Sequence, residues 1–439
     1  MINRPFPMST PRRTSEVSVS APDAAPPGHR VVGDALVVFV APLFSPAAVQ
    51  MLTAAIEVPG VRLAVVSQEP VERLPLPITA RLVGHWRVAD VTRTDQLRSA
   101  LSSLQAVHGP IARAFGAYEQ LQHPLALVRE ALGIPGLSSA AAHRFRDKAV
   151  MKDALRAAGL PVARHALIPA MEALPAAAAA VGFPLVLKPP AGAGARATHR
   201  VANAAQLAQL LAEMPPSPQA PWLAEEMLQG TEHSLESVSV NGAVVWQSVT
   251  RYAPTPLEVL ENPWIQWTVL LPREVDAPAY DDIRAAGSAA VAALGMDTGV
   301  THCEWFRRPD GSLAISEIAA RPPGANMTTM ISRATDTDFV AAWVRLLVHG
   351  TFQPPVRKYA VGTAYLRGQG GGQVVGVEGL DVVRRELGTL VCDHRIPRPG
   401  MVPTGSYEGE GFLMVRHPET AVVEQALRHI VSTVRVRLG

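Results

Sequence analysis

Only four of the forty basic residues in this 439-residue chain are lysines: Lys148, Lys152, Lys188 and Lys358. An ammonium is a compact point charge and a guanidinium a flat fork, so the two are not equivalent at a phosphate. Where lysine does occur in so arginine-rich a chain, a specific need is worth considering. Lys188 ends the strand-like segment LVLK and runs into a loop, 189–197, that contains Gly192 and Gly194. Glycines let backbone N–H groups approach phosphate oxygens closely, while a strand-borne lysine supplies a fixed positive charge. The order differs from a P-loop, in which the lysine follows the glycines. Taken alone, such a loop is more often a plain turn.

Two acidic segments follow. WLAEEMLQGTEHSLESV (222–238) carries Glu225 and Glu226 on a strand, a turn at Gly230, and then Glu232. Carboxylates and strand-end backbone can read an adenine amino group and ribose hydroxyls; the same pattern also suits a solvated acidic edge. THCEWFRRPDGSLAISEIAARPPGANM (301–327) reads as two strands around the turn signal RPDG. Alternation places His302, Glu304 and Phe306 on one face of the first strand, and Leu313, Ile315 and Glu317 on one face of the second. A loop of even length, either Asp310-Gly311 or Pro309 to Ser312, sets Glu304 opposite Glu317, whereas a three-residue loop turns Glu317 away. Opposed like charges destabilise a sheet. A divalent cation between them would explain the arrangement, and oxygen ligands suit Mg²⁺ bridging phosphates. Arg321, just beyond, could stabilise charge on a transferring phosphoryl group. The alternative is a salt-bridged surface hairpin.

These residues need elements to position them. Segment 31–140 alternates strand and helix: ALVVFVA (35–41), PAAVQMLTAAIE (46–57), RLAVVSQ (62–68), DQLRSALSSLQAVHG (95–109), IARAFGA (111–117) and LALVREALG (125–133). That alternation predicts a parallel sheet covered by helices. From 141 to 350 the pattern changes. An amphipathic helix at 148–160 precedes a strand–helix–strand stretch, the glycine loop, and a helix at 204–214. Long strands, a helix at 281–295, the hairpin, and a helix at about 335–349 complete the region. Residues 351–439 read as a small α+β domain, with Gly370–Gly372 as a turn. The first thirty residues, rich in Pro, Ser and Arg, have no apolar run of signal-peptide type and are expected to form a disordered tail.

In order and spacing, these motifs resemble the ATP-grasp superfamily, in its carboxylate–amine ligase branch (biotin carboxylase, D-alanine–D-alanine ligase and L-amino acid ligase among its relatives). RFRDKAVMKDALRAAGLPVAR (144–164) is similar to the family's opening helix, whose nucleotide lysine falls on Lys148. The resemblance spans roughly 35–435. It implies an α/β and α+β multidomain fold: an N-terminal parallel α/β domain (31–140), a two-lobed ATP-grasp core (141–350) with a lid at about 160–225, and a small β-rich C-terminal domain (351–439). It implies that Lys148 and Lys188 contact ATP phosphates, with Gly192 and Gly194 in the mobile lid loop. Glu225 would accept from the adenine amino group, the backbone near Glu226 and Leu228 would complete that site, and Glu232 would bind ribose. Glu304 and Glu317 would hold Mg²⁺ (or Mn²⁺), and Arg321 would steady an acyl phosphate. Lys188 and Arg321 would thus be the catalytic cations.

Two departures matter. Ala319 stands where the family usually has a metal-binding Asn, which leaves open one metal or two; Asn326 could reach in instead. Ala195 replaces the usual Ser at the lid tip, leaving one phosphate contact to backbone or Thr198. Arg251 opens a Pro-interrupted segment (251–267) that could line an acceptor pocket, and His233 and His302 border the proposed site as structural or substrate-positioning groups. Cys303 alternates away from Glu304 and is expected to be inert.

The resemblance implies an ATP-dependent amide-forming ligase acting on a small carboxylate and an amine, cytoplasmic, and a candidate homodimer. Rival expectations are a carboxylating or formate-activating enzyme of the same fold, and a non-catalytic ATP-binding regulator. A Rossmann dehydrogenase is disfavoured because the turn after the first strand, APLFS, lacks GxGxxG. A net charge of +2 without dense basic runs gives no support to a nucleic-acid or membrane surface. Two distant cysteines offer neither a disulfide framework nor a zinc site, which fits a reducing compartment.

Overall fold

The computed structural model describes residues 34–192 and 197–439. The expected tail, Gly194 and the lid-tip Ala195 lie outside the described residues. In the N-terminal region four parallel strands run in the order Leu82–Arg87, Val61–Ser67, Ala35–Ala41, Ile111–Phe115. Period-two alternation is plain in Ala35–Ala41: Leu36, Val38 and Val40 enter one core cluster, while Val37, Phe39 and Ala41 enter another. Helices cover both faces, so the strand reads as one apolar run. The edge strand Leu82–Arg87 has no apolar run, only half-buried and exposed residues, and sequence pattern does not reveal it. Phe115 joins this domain to the rest, edge-on to Phe39 at 5.5 Å and to Trp343 at 5.7 Å.

A second, antiparallel sheet contains His165–Ile168, Trp222–Glu226, Leu185–Lys188 and His199–Val201, in that order. Helices Leu174–Val181 and Ala204–Glu213 pack on it through a core of its own, including Ile168, Val181, Leu187, Leu207 and Leu211. This small body spans the segment for which the resemblance implies a lid.

The main sheet has eight antiparallel strands: Leu313–Ala319, Gly299–Arg307, Thr231–Val240, Ala243–Ala253, Thr268–Leu271, Ala360–Leu366, Gly411–His417 and Val391–Arg395. The expected small C-terminal domain is therefore not a free-standing sheet, because three of its strands extend the central one. Ala360–Leu366 is buried along its whole length and takes partners on both sides. Only Gly368–Gln369, Val374–Glu378 and Arg435–Leu438 form a separate small sheet. The helix expected at about 335–349 is Phe339–His349, and a separate helix, Met327–Thr335, precedes it. Asp336, at φ 52°, breaks the run, and the Asp338 carboxylate caps the second helix at Ala341 N. Among the described residues, no helix is long and apolar enough to cross a membrane.

The hairpin 299–319 reaches the expected pairing by an unexpected route. Arg307 pairs with Leu313, leaving the five-residue loop 308–312, an odd count that alone would set Glu304 opposite Ser316. Between Trp305↔Ile315 and Glu304↔Glu317 the second strand carries one extra residue, Ser316. That bulge restores the opposition of the two glutamates. It also corrects the face assignment: Ile315 joins Ile318, Cys303 and Trp305 in the core beneath the sheet, while Glu317 turns to the other side.

If Phe115 ties the N-terminal sheet to the main body, Phe115→Ala should cost about 3–5 kcal/mol, as truncations of buried aromatics do. Denaturant unfolding monitored by near-UV circular dichroism checks this.

Candidate functional site

A cavity of about 400 Å³ lies between the lid sheet and the main sheet, within the range of small-molecule sites. Lys148 is the first residue of helix Lys148–Ala157, whose N-terminus is capped by the Asp147 carboxylate at Ala149 N and Val150 N. Lys152 lies one turn further along on the same helix face. Lys188 ends its lid strand.

The three ammonium groups and two carboxylates form a ladder across the junction. Glu225 Oε2 takes Lys188 Nζ at 2.7 Å, and Oε1 takes Lys152 Nζ at 3.2 Å. Lys152 Nζ also donates to the carbonyl of Ser316, the bulge residue. Lys148 Nζ pairs with Glu317 Oε1 at 3.1 Å and donates to Gly192 O at 2.8 Å. Lys152 is 0% exposed, so its charge depends wholly on these partners. Burial alone would raise the Glu317 carboxyl, but Lys148 and Lys188 outweigh it and hold the group at about 2. Burial would likewise lower Lys188, yet Glu225 and Glu317 leave it raised. Lys152 remains lowered, with burial the largest cause.

The acidic side faces this ladder. Glu304 and Glu317 oppose each other from neighbouring strands, and both line the cavity with Glu232. Burial, then the charge of Glu304, pushes the Glu232 carboxyl well above its usual range. His302 is buried, which disfavours its charge, but hydrogen bonds to Glu236 and Glu304 raise it to about 9. An oxygen-only donor pair fits a hard divalent cation. Among the described residues no three His, Cys, Asp or Glu side chains form a cage. Phosphate and water oxygens would complete the shell of a cation held by Glu304 and Glu317.

Glu226, Met227, Leu228, Gln229 and Gly230 form a further wall. The Glu226 carboxylate is held by Arg164 at 2.7 Å and Arg308 at 2.5 Å, which leaves its segment's backbone to face the cavity. Gly230 is required there: at φ 128°, an added Cβ would sit 2.0 Å from Arg307 O. Gly192 and Thr198 line the cavity at the two ends of the glycine loop.

Arg321 also lines the cavity, and it is aimed by a residue that sequence inspection misses. Its Nε and Nη2 donate to Glu119 Oε2 at 3.0 and 2.9 Å, and Arg146 Nη1 reaches Glu119 Oε1 at 2.9 Å. Glu119 belongs to the N-terminal domain, and nothing in its local sequence marks it. Tyr407, from the C-terminal segment, lines the cavity too, edge-on to Trp267 at 4.7 Å and with Tyr252 nearby in the same wall.

Four expectations need correction. Glu225 does not present a free carboxylate to adenine; both oxygens are taken by lysines, so it positions those cations. Arg251 points away from the cavity to Tyr280 Oη at 2.7 Å and Glu424 at 3.1 Å, although Tyr252, Thr255 to Glu258 and Trp267 of its segment do line it. His233 stacks on Trp305 at 4.5 Å and bonds Thr231, because it alternates away from Glu232. Asn326, at φ 55°, begins helix Met327–Thr335, while Gly324, Ala325 and Met327 line the cavity instead. Cys303 is buried and its thiol is pushed far up, first by burial, as its expected inertness requires.

The model of the ATP-grasp domain matches residues 153–337. The L-arginine-specific L-amino acid ligase of Bacillus subtilis is 25% identical over 287 residues, which cover 63% of this chain and 67% of that protein. The alanine–anticapsin ligase of Bacillus subtilis (strain 168) is 27% identical over 267 residues, 55% of this chain and 56% of that protein. Among solved structures, an L-amino acid ligase from Bacillus licheniformis superposes with a TM-score of 0.74 at 17% identity, covering 93% of this chain and all (100%) of that one. An N5-carboxyaminoimidazole synthetase from Staphylococcus aureus complexed with ADP gives 0.67 at 16% identity, with 92% and 98% covered. Fold and site together thus define an ATP-binding enzyme with an ATP-grasp core. Residues 153–337 thus match the ATP-grasp domain, and the chain is similar to ligases of the carboxylate–amine branch.

Removing one partner of a buried ion pair strands the other. Lys152→Met should therefore destabilise the protein by about 3–5 kcal/mol, and adding Glu225→Met should recover little of it, because Lys188 then loses its partner in turn. Urea denaturation of the two variants against wild type checks it.

Proposed function

We propose that this protein joins a small carboxylate to an amine, forming an amide through an acyl phosphate at the expense of ATP. The observation that carries the reading is the opposition of Glu304 and Glu317 across the Ser316 bulge, with Lys148 paired to Glu317 and Lys188 lining the same cavity. That arrangement suits a triphosphate held by a cation-binding acidic pair together with two ammonium groups. Adenine would lie along the backbone of Glu226 to Leu228, with Glu232 at the ribose.

In the first step a carboxylate oxygen attacks the γ-phosphorus. An O–P bond forms, the bond to the β–γ bridging oxygen breaks, and ADP leaves with the electron pair. In the second, the amine nitrogen attacks the acyl carbon, phosphate departs, and the amine loses a proton. Lys148 and Lys188 hold the β- and γ-phosphate oxygens; Arg321, braced by Glu119, faces the charge that grows on the transferred group. Magnesium held by Glu304 and Glu317 would neutralise phosphate charge. Positioning and electrostatics do most of the work in such transfers. The lid sheet, with its own core, would close as a unit and exclude water from the labile acyl phosphate.

The test is a Mg²⁺-dependent phosphate-release screen over amino acids and small carboxylic acids, with bicarbonate and formate as separate arms. Amide formed stoichiometrically with ADP supports the reading. Turnover with bicarbonate or formate alone transfers the assignment to a carboxylating or formyl-activating enzyme, and no turnover across the panel favours a regulatory ATP-binding protein. Lys188→Ala should lower kcat by about 100-fold or more, the scale for losing one charge-stabilising donor. Deleting Ser316 should lower turnover while leaving far-UV circular dichroism unchanged, because it keeps Glu317 opposite Glu304 but removes the bulged carbonyl to which Lys152 donates.

A further inference from the structure

Behind Glu304 lies a second carboxylate that the reaction as derived does not use. Glu236 is 0% exposed. Its Oε1 accepts from Ser234 Oγ at 2.6 Å and lies 2.9 Å from His302 Nδ1; its Oε2 accepts from Thr250 Oγ1 at 3.1 Å. His302 is the cross-strand partner of Glu236, so sheet register itself brings the two together. The other ring nitrogen, His302 Nε2, lies 3.5 Å from Glu304 Oε1. The imidazole therefore bridges a locked internal carboxylate and one member of the acidic pair.

We infer that Glu236 and His302 are positioning residues for Glu304. Glu236, itself held by two hydroxyls, fixes the ring through Nδ1, and the ring presents Nε2 to the Glu304 carboxylate. That sets which way Glu304 faces, and it places a donor beside three neighbouring carboxylates. Histidine–carboxylate pairs behind metal ligands orient the ligand and tune its basicity, and their loss typically lowers metal affinity about 10–100-fold. The inference rests on Glu304 being a metal ligand.

The experiment is titration of Mn²⁺ followed by electron paramagnetic resonance, at saturating ADP, on wild type, Glu304→Gln, His302→Asn and Glu236→Gln. ADP affinity in EDTA and the thermal midpoint are measured alongside. Glu236→Gln is nearly isosteric and keeps the comparison usable if His302→Asn folds poorly. The expected result is Mn²⁺ affinity about 10–100-fold weaker in both variants, with metal-free ADP affinity unchanged. Wild-type Mn²⁺ affinity in a folded variant, an equal loss of metal-free ADP binding, or failure of both variants to fold overturns the inference. Wild-type affinity in Glu304→Gln overturns the metal assignment itself, which separates the two failures.

Discussion

A lysine that no water can reach constrains everything around it. Lys152 has Glu225 on the lid side and the Ser316 carbonyl on the hairpin side, and an unpaired ammonium at that depth would be prohibitive. The bulge at Ser316 pushes one carbonyl out of the regular ladder, and Lys152 satisfies it. The same bulge turns Glu317 toward the cavity, where Lys148 meets it one helical turn from Lys152. Glu225, held from one side by Lys152, holds Lys188 from the other. Strand register and the positions of Lys148 and Lys188 thus depend on one buried set of charges.

The site is not contained within its matched stretch. Lys148, Glu119 and Tyr407 all lie outside 153–337, and Glu119 reaches Arg321 across 202 positions of sequence. The N-terminal domain supplies the acid that aims Arg321, and the C-terminal segment adds Tyr407 to the cavity wall. An interdomain seam with aromatic packing at Phe115 and Trp343 keeps those contributions in place.

Much of this was legible because the chemistry is local to short motifs. Lys148, Lys188, Glu304, Glu317 and Arg321 were singled out by type and order, and all five line one cavity. Strand alternation also exposes two of the errors. Glu232, Ser234 and Glu236 share parity, so His233 must face the other way, and Tyr252 on the cavity side turns Arg251 outward. Parity would equally have brought Glu236 to notice. The bulge could not be read: Ser316 looks like any strand residue, and the even loop expected from RPDG gave the right opposition of glutamates through the wrong register. Lys152 was noticed only as one of four lysines, since burial is a property of the assembled junction. Glu119 had no signal at all.

On the proposed reading, the opposed carboxylates Glu304 and Glu317 and the lysines Lys148 and Lys188 together hold one triphosphate. The most direct measurement is anomalous diffraction from crystals grown with Mn²⁺ and ADP. The account predicts a manganese peak between the Glu304 and Glu317 carboxylates, with Lys148 and Lys188 on the phosphate oxygens. A manganese peak away from both glutamates, or a diphosphate touching neither lysine, would contradict it.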